Sequence, residues 1–168
     1  MLKKIIALSF FGLALLAQST LARKMDPALV AGQQIPVAIA VENARAFATV
    51  PAQSVGAVYV NLRNTSQKTW VLERAQTAVA GSVEIHTMKI VDGQMQMRQL
   101  PQLNLPAGKT LKLEQGGLHM MLFDLQQALQ AGQTFKLDLH FVRTQGKGKK
   151  TKRIRQVQTV DVAVVERQ

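Results

Sequence analysis

The chain has 168 residues, a formal net charge of +11 and no cysteine. That length allows one domain whose core can stand without disulfide staples. The lack of cysteine excludes disulfides and thiolate-held metals, blue-copper electron-transfer centres among them.

The first 22 residues read as a secretory signal peptide. "MLKK" is a positive start, "IIALSFFGLALLA" (5–17) is an apolar run too short to span a bilayer comfortably, and "QSTLA" ends in small residues. Cleavage is expected after Ala22, or alternatively after Ser19, and an uncleaved N-terminal anchor is the competing reading. Residues 23–168 then form a single mature domain, and no later run is apolar enough to cross a membrane. Removing Lys3 and Lys4 leaves 19 basic against 10 acidic residues, a net +9. On an exported protein this balance fits anionic lipid headgroups or an acidic protein partner better than nucleic acid.

The mature chain reads as strands. "PVAIAVE" (36–42), "GAVYVNLRN" (56–64) and "TWVLERA" (69–75) are short, rich in β-formers and bounded by Pro, Gly, Ser and Asn. A helical turn is predicted at "DLQQALQ" (124–130), stopped by Gly132. "TFKLDLHFV" (134–142) alternates, with Phe135, Leu137, Leu139 and Phe141 on one side and Lys136, Asp138 and His140 on the other. The basic stretch "TQGKGKKTKR" (144–153) reads as a loop, a solvated tip or else a docking patch, and "TVDVAVVE" (159–166) alternates again. Segments recur about every ten residues, the cadence of an all-β sandwich or barrel.

Between positions 84 and 121 the chain concentrates imidazole and thioether side chains. In "EIHTMKIVDGQMQMRQL" (84–100), Asp92-Gly93 lies between two strand-like runs, the signal for a two-residue type I′ hairpin. Pairs then sum to 185, with Met88 opposite Met97, Ile90 opposite Met95 and His86 opposite Gln99. His86, Met88, Met95 and Met97 share one face. In "GGLHMM" (116–121), His119 and Met121 share a face and Met120 points away. Imidazole and thioether are borderline-to-soft donors, and thioether selects Cu(I) over Mg, Ca or Mn. Zinc is less favoured, because its structural sites use Cys, His and carboxylate. A single methionine on such a face is usually core filling, and His140 reads as an ordinary surface histidine. No Ser/His/Asp set, paired carboxylates near the histidines or phosphate loop points to an enzyme.

The pattern H-x10-M-x21-H-x-M, formed by His86, Met97, His119 and Met121, resembles the copper-binding motif of the periplasmic copper chaperones of the PCuAC family. "AVYVNLRNTS", "VEIHTM", "DGQMQMRQL", "LPAGKTLKLEQGGLHMMLFDL" and "GQTFKLDLHF" follow that family's order, so the resemblance covers roughly residues 37–142. It implies a cupredoxin-like Greek-key β-sandwich or barrel that binds Cu(I) in the periplasm. The implied ligands are His86, Met97, His119 and Met121, with Met88 a neighbour or alternate ligand and Met95 packing. The implied acceptor is the dinuclear copper centre of cytochrome c oxidase subunit II, or an assembly factor. Some family members hold a second copper on a His/Met-rich C-terminal tail. Here neither residue type occurs after His140, so one copper per chain is expected. Gly116 and Gly117 are expected to allow close approach to the hairpin, and Trp70 and Tyr59 to be core aromatics. Weak contact with an anionic membrane surface is a further expectation. The alternatives are a copper storage or tolerance protein without a specific acceptor, and a non-metal β-sandwich interaction protein.

Overall fold

The computed structural model describes residues 38–146 and 150–167. The expected signal peptide, 1–22, lies outside the described residues. Ten strands follow one another: β1 (Ile39–Phe47), β2 (Val55–Asn64), β3 (Trp70–Gln76), β4 (Ala80–Val91), β5 (Gln94–Leu100), β6 (Leu103–Leu105), β7 (Thr110–Leu113), β8 (Leu118–Leu125), β9 (Thr134–Gln145) and β10 (Lys152–Val165). They hydrogen-bond in the order β5-β4-β8-β2-β1-β10-β9-β3-β6, with β7 also on β2. All pairings are antiparallel except β1 with β10. The all-β expectation holds.

One core joins the inward residues of both ends of this order. Val58, Val60 and Leu62 of β2 and Met120 and Leu122 of β8 belong to the same buried cluster as Leu72 of β3, Leu137, Leu139 and Phe141 of β9 and Val162 and Val164 of β10. The sheet therefore curls over itself as a sandwich, and each strand's alternation decides which side chains enter the core.

Asp92 (φ 52°) and Gly93 (φ 73°) both adopt the left-handed conformation that a type I′ turn requires. Val91 pairs with Gln94 and Met88 with Met97, the register expected from the Asp-Gly loop. Three other expectations are corrected. No helical turn forms at 124–130: β8 runs to Leu125, and Asp124 has φ 54°. There the Leu125 N–H donates to Ser54 O, Gln126 N–H to Val79 O and Leu129 N–H to Thr49 Oγ1, so neighbouring segments take the donors a helix would use. The basic loop is shorter than 144–153, because β9 continues to Gln145 and β10 begins at Lys152. Residues 147–149 of it lie outside the described residues. Strands β6 and β7, inside the stretch 101–115, were not expected at all.

Asn64 closes the end of β2. Fully buried, it donates from Nδ2 to the carbonyls of Lys68 and Leu105, both at 2.8 Å. Its Oδ1 accepts from Ser66 N–H (3.0 Å) and Ser66 Oγ–H (2.8 Å). Ser66 Oγ in turn accepts from the indole N–H of Trp70, which lies in the core as expected. One amide thus ties the β2–β3 turn to β6. Asn64→Ala is expected to lower unfolding stability by about 2–4 kcal/mol in denaturant titration, because it strands several buried partners at once. Asn64→Asp should be at least as damaging, because it sets a buried carboxylate oxygen against the carbonyls of Lys68 and Leu105 that Nδ2 now donates to.

Candidate metal centre

β8 lies between β4 and β2, and its register with β4 sets His86 directly opposite His119. One same-face step along, Glu84 is opposite Met121, which is opposite Ala57 of β2 on its other side. One step the other way stand Met88 and, across the hairpin, Met97. Strand alternation puts all of these on one face. Ile85 and Met120, also opposite each other, take the other face and are buried in the core. The structure thus gathers His86, His119, Met121, Met97 and Met88 on adjacent positions of three neighbouring strands.

Each imidazole has one nitrogen committed and one available. His119 is only 4% exposed, and its Nδ1 lies 3.1 Å from the carbonyl oxygen of Gly117. A carbonyl can only accept, so the proton sits on Nδ1 and Nε2 carries the lone pair. The Gly117 oxygen also accepts from Met88 N–H, which fixes it in place. In His86 the arrangement is reversed. Nε2 is 2.9 Å from Glu84 Oε2, so the proton faces the carboxylate and Nδ1 carries the lone pair. That Nδ1 is buried and has no hydrogen-bond partner. An orphaned buried acceptor is costly unless something occupies it. A carboxylate or carbonyl on the far nitrogen is the arrangement that orients metal-binding histidines.

The rings of His86 and His119 have centroids 6.0 Å apart, tilted by 38°. Two imidazoles holding one ion at about 2 Å would place their centroids at most about 6 Å apart, so the separation suits a shared ion. Among the described residues, no group of three or more His, Asp or Glu could hold a metal.

Aromatic rings wall the pair: Phe123 stands 6.1 Å from His86 and Tyr59 6.5 Å from His119. Tyr59, expected as a core aromatic, is buried but faces this site, with Phe47 and the Arg45 guanidinium packed on its ring. Beside Met121 opens a cavity of about 480 Å³, lined also by Ala57, Tyr59, Phe47 and Arg167. It reaches Met121 but neither histidine. Met97 is 44% exposed and Met95 67%. Met95 is therefore not packing, because the hairpin tip extends beyond any facing layer. Gly116 is also corrected: its φ of 81° makes the turn, and a Cβ there would meet nothing within 4 Å. Backbone conformation, not close approach, is what it supplies.

His140 stands apart on β9, opposite Arg74 of β3, whose guanidinium is 3.5 Å from Nδ1. Burial, then the Arg74 charge, lowers its pKa below the usual histidine value, against the opposing pull of Asp138. Glu84 and Gly117, by contrast, were missed as partners of the histidines. The signal was present in Glu84, two residues before His86 and so on its face.

The model of the LpqE-like family, described as "Putative lipoprotein LpqE-like", matches residues 39–164. The chain belongs to the LpqE-like family. A relative in sequence is "Putative lipoprotein Lxx21020" of Leifsonia xyli subsp. xyli, 30% identical over 102 residues, which are 60% of this chain and 61% of the relative. This chain thus spans about 61% of that relative's length. The LpqE-like fold is similar to the solution structure of CuI-DR1885 from Deinococcus radiodurans: TM-score 0.58, 28% identity, 83% of this chain and 85% of that one. It is also similar to the copper-bound PCuAC domain from PmoF2, with TM-score 0.58, 19% identity and coverage of 77% and 94%. The cupredoxin-like fold implied by the resemblance to PCuAC proteins is therefore found.

The proton positions can be tested without metal. Long-range ¹H–¹⁵N spectra should show His86 protonated on Nε2 and His119 on Nδ1. Glu84→Ala should leave His119 unchanged and mix the two tautomers of His86. An unmixed His86 in Glu84→Ala would mean that the carboxylate does not orient the ring.

Proposed function

We propose that this protein is an exported, non-enzymatic copper carrier that takes up one Cu(I) through His86, His119, Met97 and Met121 and passes it to an acceptor. The observation that carries the reading is the His86–His119 pair, two opposed imidazoles each held from behind, with Nδ1 of His86 buried and unpartnered. The related folds of CuI-DR1885 and of the copper-bound PmoF2 domain support copper as the cargo. The lipoprotein descriptions of the family and of the Leifsonia relative support export, as does the N-terminal sequence. The 168 residues themselves offer no cysteine for a cysteine-linked lipid.

The chemistry follows from the donor set. Nδ1 of His86 and Nε2 of His119 supply the strong σ-donors. The sulfurs of Met97 and Met121 supply softness that favours Cu(I) over Cu(II) and over hard cations. All four ligands are neutral, so the bound site keeps the ion's own charge. Glu84 and the Gly117 carbonyl hold the imidazoles, while Met88 lies beside Met97 as an alternate sulfur. Met97, exposed on the hairpin, is the ligand an incoming acceptor reaches first. That openness supports a carrier over a store, since a partner can replace the donors one at a time. The acceptor that suits this chemistry is the dinuclear copper centre of cytochrome c oxidase subunit II, or an assembly factor that loads it.

Anaerobic titration with a competing Cu(I) chelator should give one copper per chain, and X-ray absorption should find both nitrogen and sulfur in the first shell. His86→Ala or His119→Ala should weaken Cu(I) binding by more than the about 10–100-fold typical of losing an outer partner. Met97→Leu and Met121→Leu should cost less affinity and more of the preference for Cu(I). Met120→Leu, a volume-conserving change in the core, should leave copper binding intact and cost under about 1.5 kcal/mol of stability. Loss of binding in Met120→Leu but not in Met121→Leu would overturn the ligand set.

A further inference from the structure

The charges of this protein are segregated along its length. Arg45 is opposite Tyr59 on one side and Ala163 on the other, so the metal-site face lies level with the C-terminal part of β10. From Ala163, β10 runs back to Lys152, a distance of roughly 35 Å at about 3.3 Å per residue. The β9–β10 hairpin therefore lies at the far end of the sandwich. The same end holds Trp70, with the guanidinium of Arg143 stacked 5.3 Å over its ring, and the Asn64 turn that carries Lys68.

Of the fifteen Lys and Arg among the described residues, eight lie at this far end, including Arg63, Lys68, Arg143, Lys152, Arg153 and Arg155. Only two carboxylates accompany them, Glu42 paired with Arg63 and Glu73 paired with Arg153. The remaining seven basic residues are matched by seven acidic ones. The net charge of the described residues, six positive, thus sits wholly at one pole.

We propose that this pole is a docking surface for an anionic lipid bilayer. The cations come from separate turns and strand ends and spread over a broad end. A bilayer requires only such a density of charge, whereas an acidic protein would require carboxylates fixed in matching register. In a chain whose 168 residues offer no cysteine for a lipid, this contact would keep the carrier near membrane-bound acceptors. Lipid binding does not depend on the copper reading, since no residue of the proposed site takes part.

The test is co-sedimentation of the purified protein with vesicles of phosphatidylglycerol and phosphatidylcholine in equal parts, or of phosphatidylcholine alone. Binding should occur only with the anionic vesicles and should weaken by about tenfold or more between low and high salt, as screening demands. Two double reversals alter the net charge equally: Lys152→Glu with Arg155→Glu at the basic pole, and Lys136→Glu with Arg167→Glu at the opposite end, where Lys136 pairs with Asp161 and Arg167 lies over Phe47. The first should lower partitioning by about tenfold or more and the second should change it little. Equal losses would show that only net charge matters, and equal binding to both vesicle types, or to neither, would also overturn the proposal. Cu(I) titration of the same variants separates the two readings: copper binding lost in the wild type with lipid binding retained would sink the carrier and leave the membrane contact standing.

Discussion

Everything at the proposed metal face depends on one alignment, the pairing of β4 with β8. That pairing places His86 opposite His119 and, on the reverse side, Ile85 opposite Met120 inside the core. The buried side protects the register. A slip of β4 by one residue would turn His86 inward and eject Ile85, so the hydrophobic core itself holds the imidazole in place. The metal chemistry is built on the outward half of a pairing whose inward half is essential to folding.

Around that pair the protein arranges polar groups asymmetrically. The main-chain oxygen of Gly117 holds one ring by Nδ1, and the carboxylate of Glu84 holds the other by Nε2. The two rings consequently keep different nitrogens free, Nε2 in His119 and Nδ1 in His86. The first tether is backbone and changes only if the turn at 114–117 changes. The second is a side chain, one-third exposed, and can be exchanged without touching the fold. The more exposed restraint thus falls on the ring carried by the hairpin strand β4.

Local features were legible in the sequence and non-local ones were not. Asp92-Gly93 dictated its own turn, and parity then put Met88 and Met97 on one face without any knowledge of the rest. That His86 would meet His119 depended on β4 and β8, strands separated by the whole of β5, β6 and β7, and only the family resemblance linked them. Tyr59 is buried as expected, but its place beside His119 was not legible, because an aromatic in an apolar strand is buried on either face. The expected strand begins only at 159, leaving 154–158 unassigned, because the inward positions there include Gln156 and Gln158, which break the alternation of apolar residues. Both carry side-chain oxygens buried without a partner. At 124–130 a fair helical pattern lost to the backbone acceptors Ser54 and Val79 and the hydroxyl of Thr49.

The exposure of the hairpin methionines has a chemical consequence. Oxidants attack accessible thioethers first, and a sulfoxide presents a hard oxygen where the soft sulfur had been. Met95 and Met97 lie in the path of any peroxide reaching this face, whereas Met120 is sealed in the core. Sulfoxidation of Met97, exposed on the hairpin, would spare the core and remove one of the proposed soft donors. Met95, two residues away and more exposed still, is the first sulfur such an oxidant meets. The same openness that the proposed release of cargo requires would therefore expose Met97 to oxidative damage, with Met95 placed to absorb part of it.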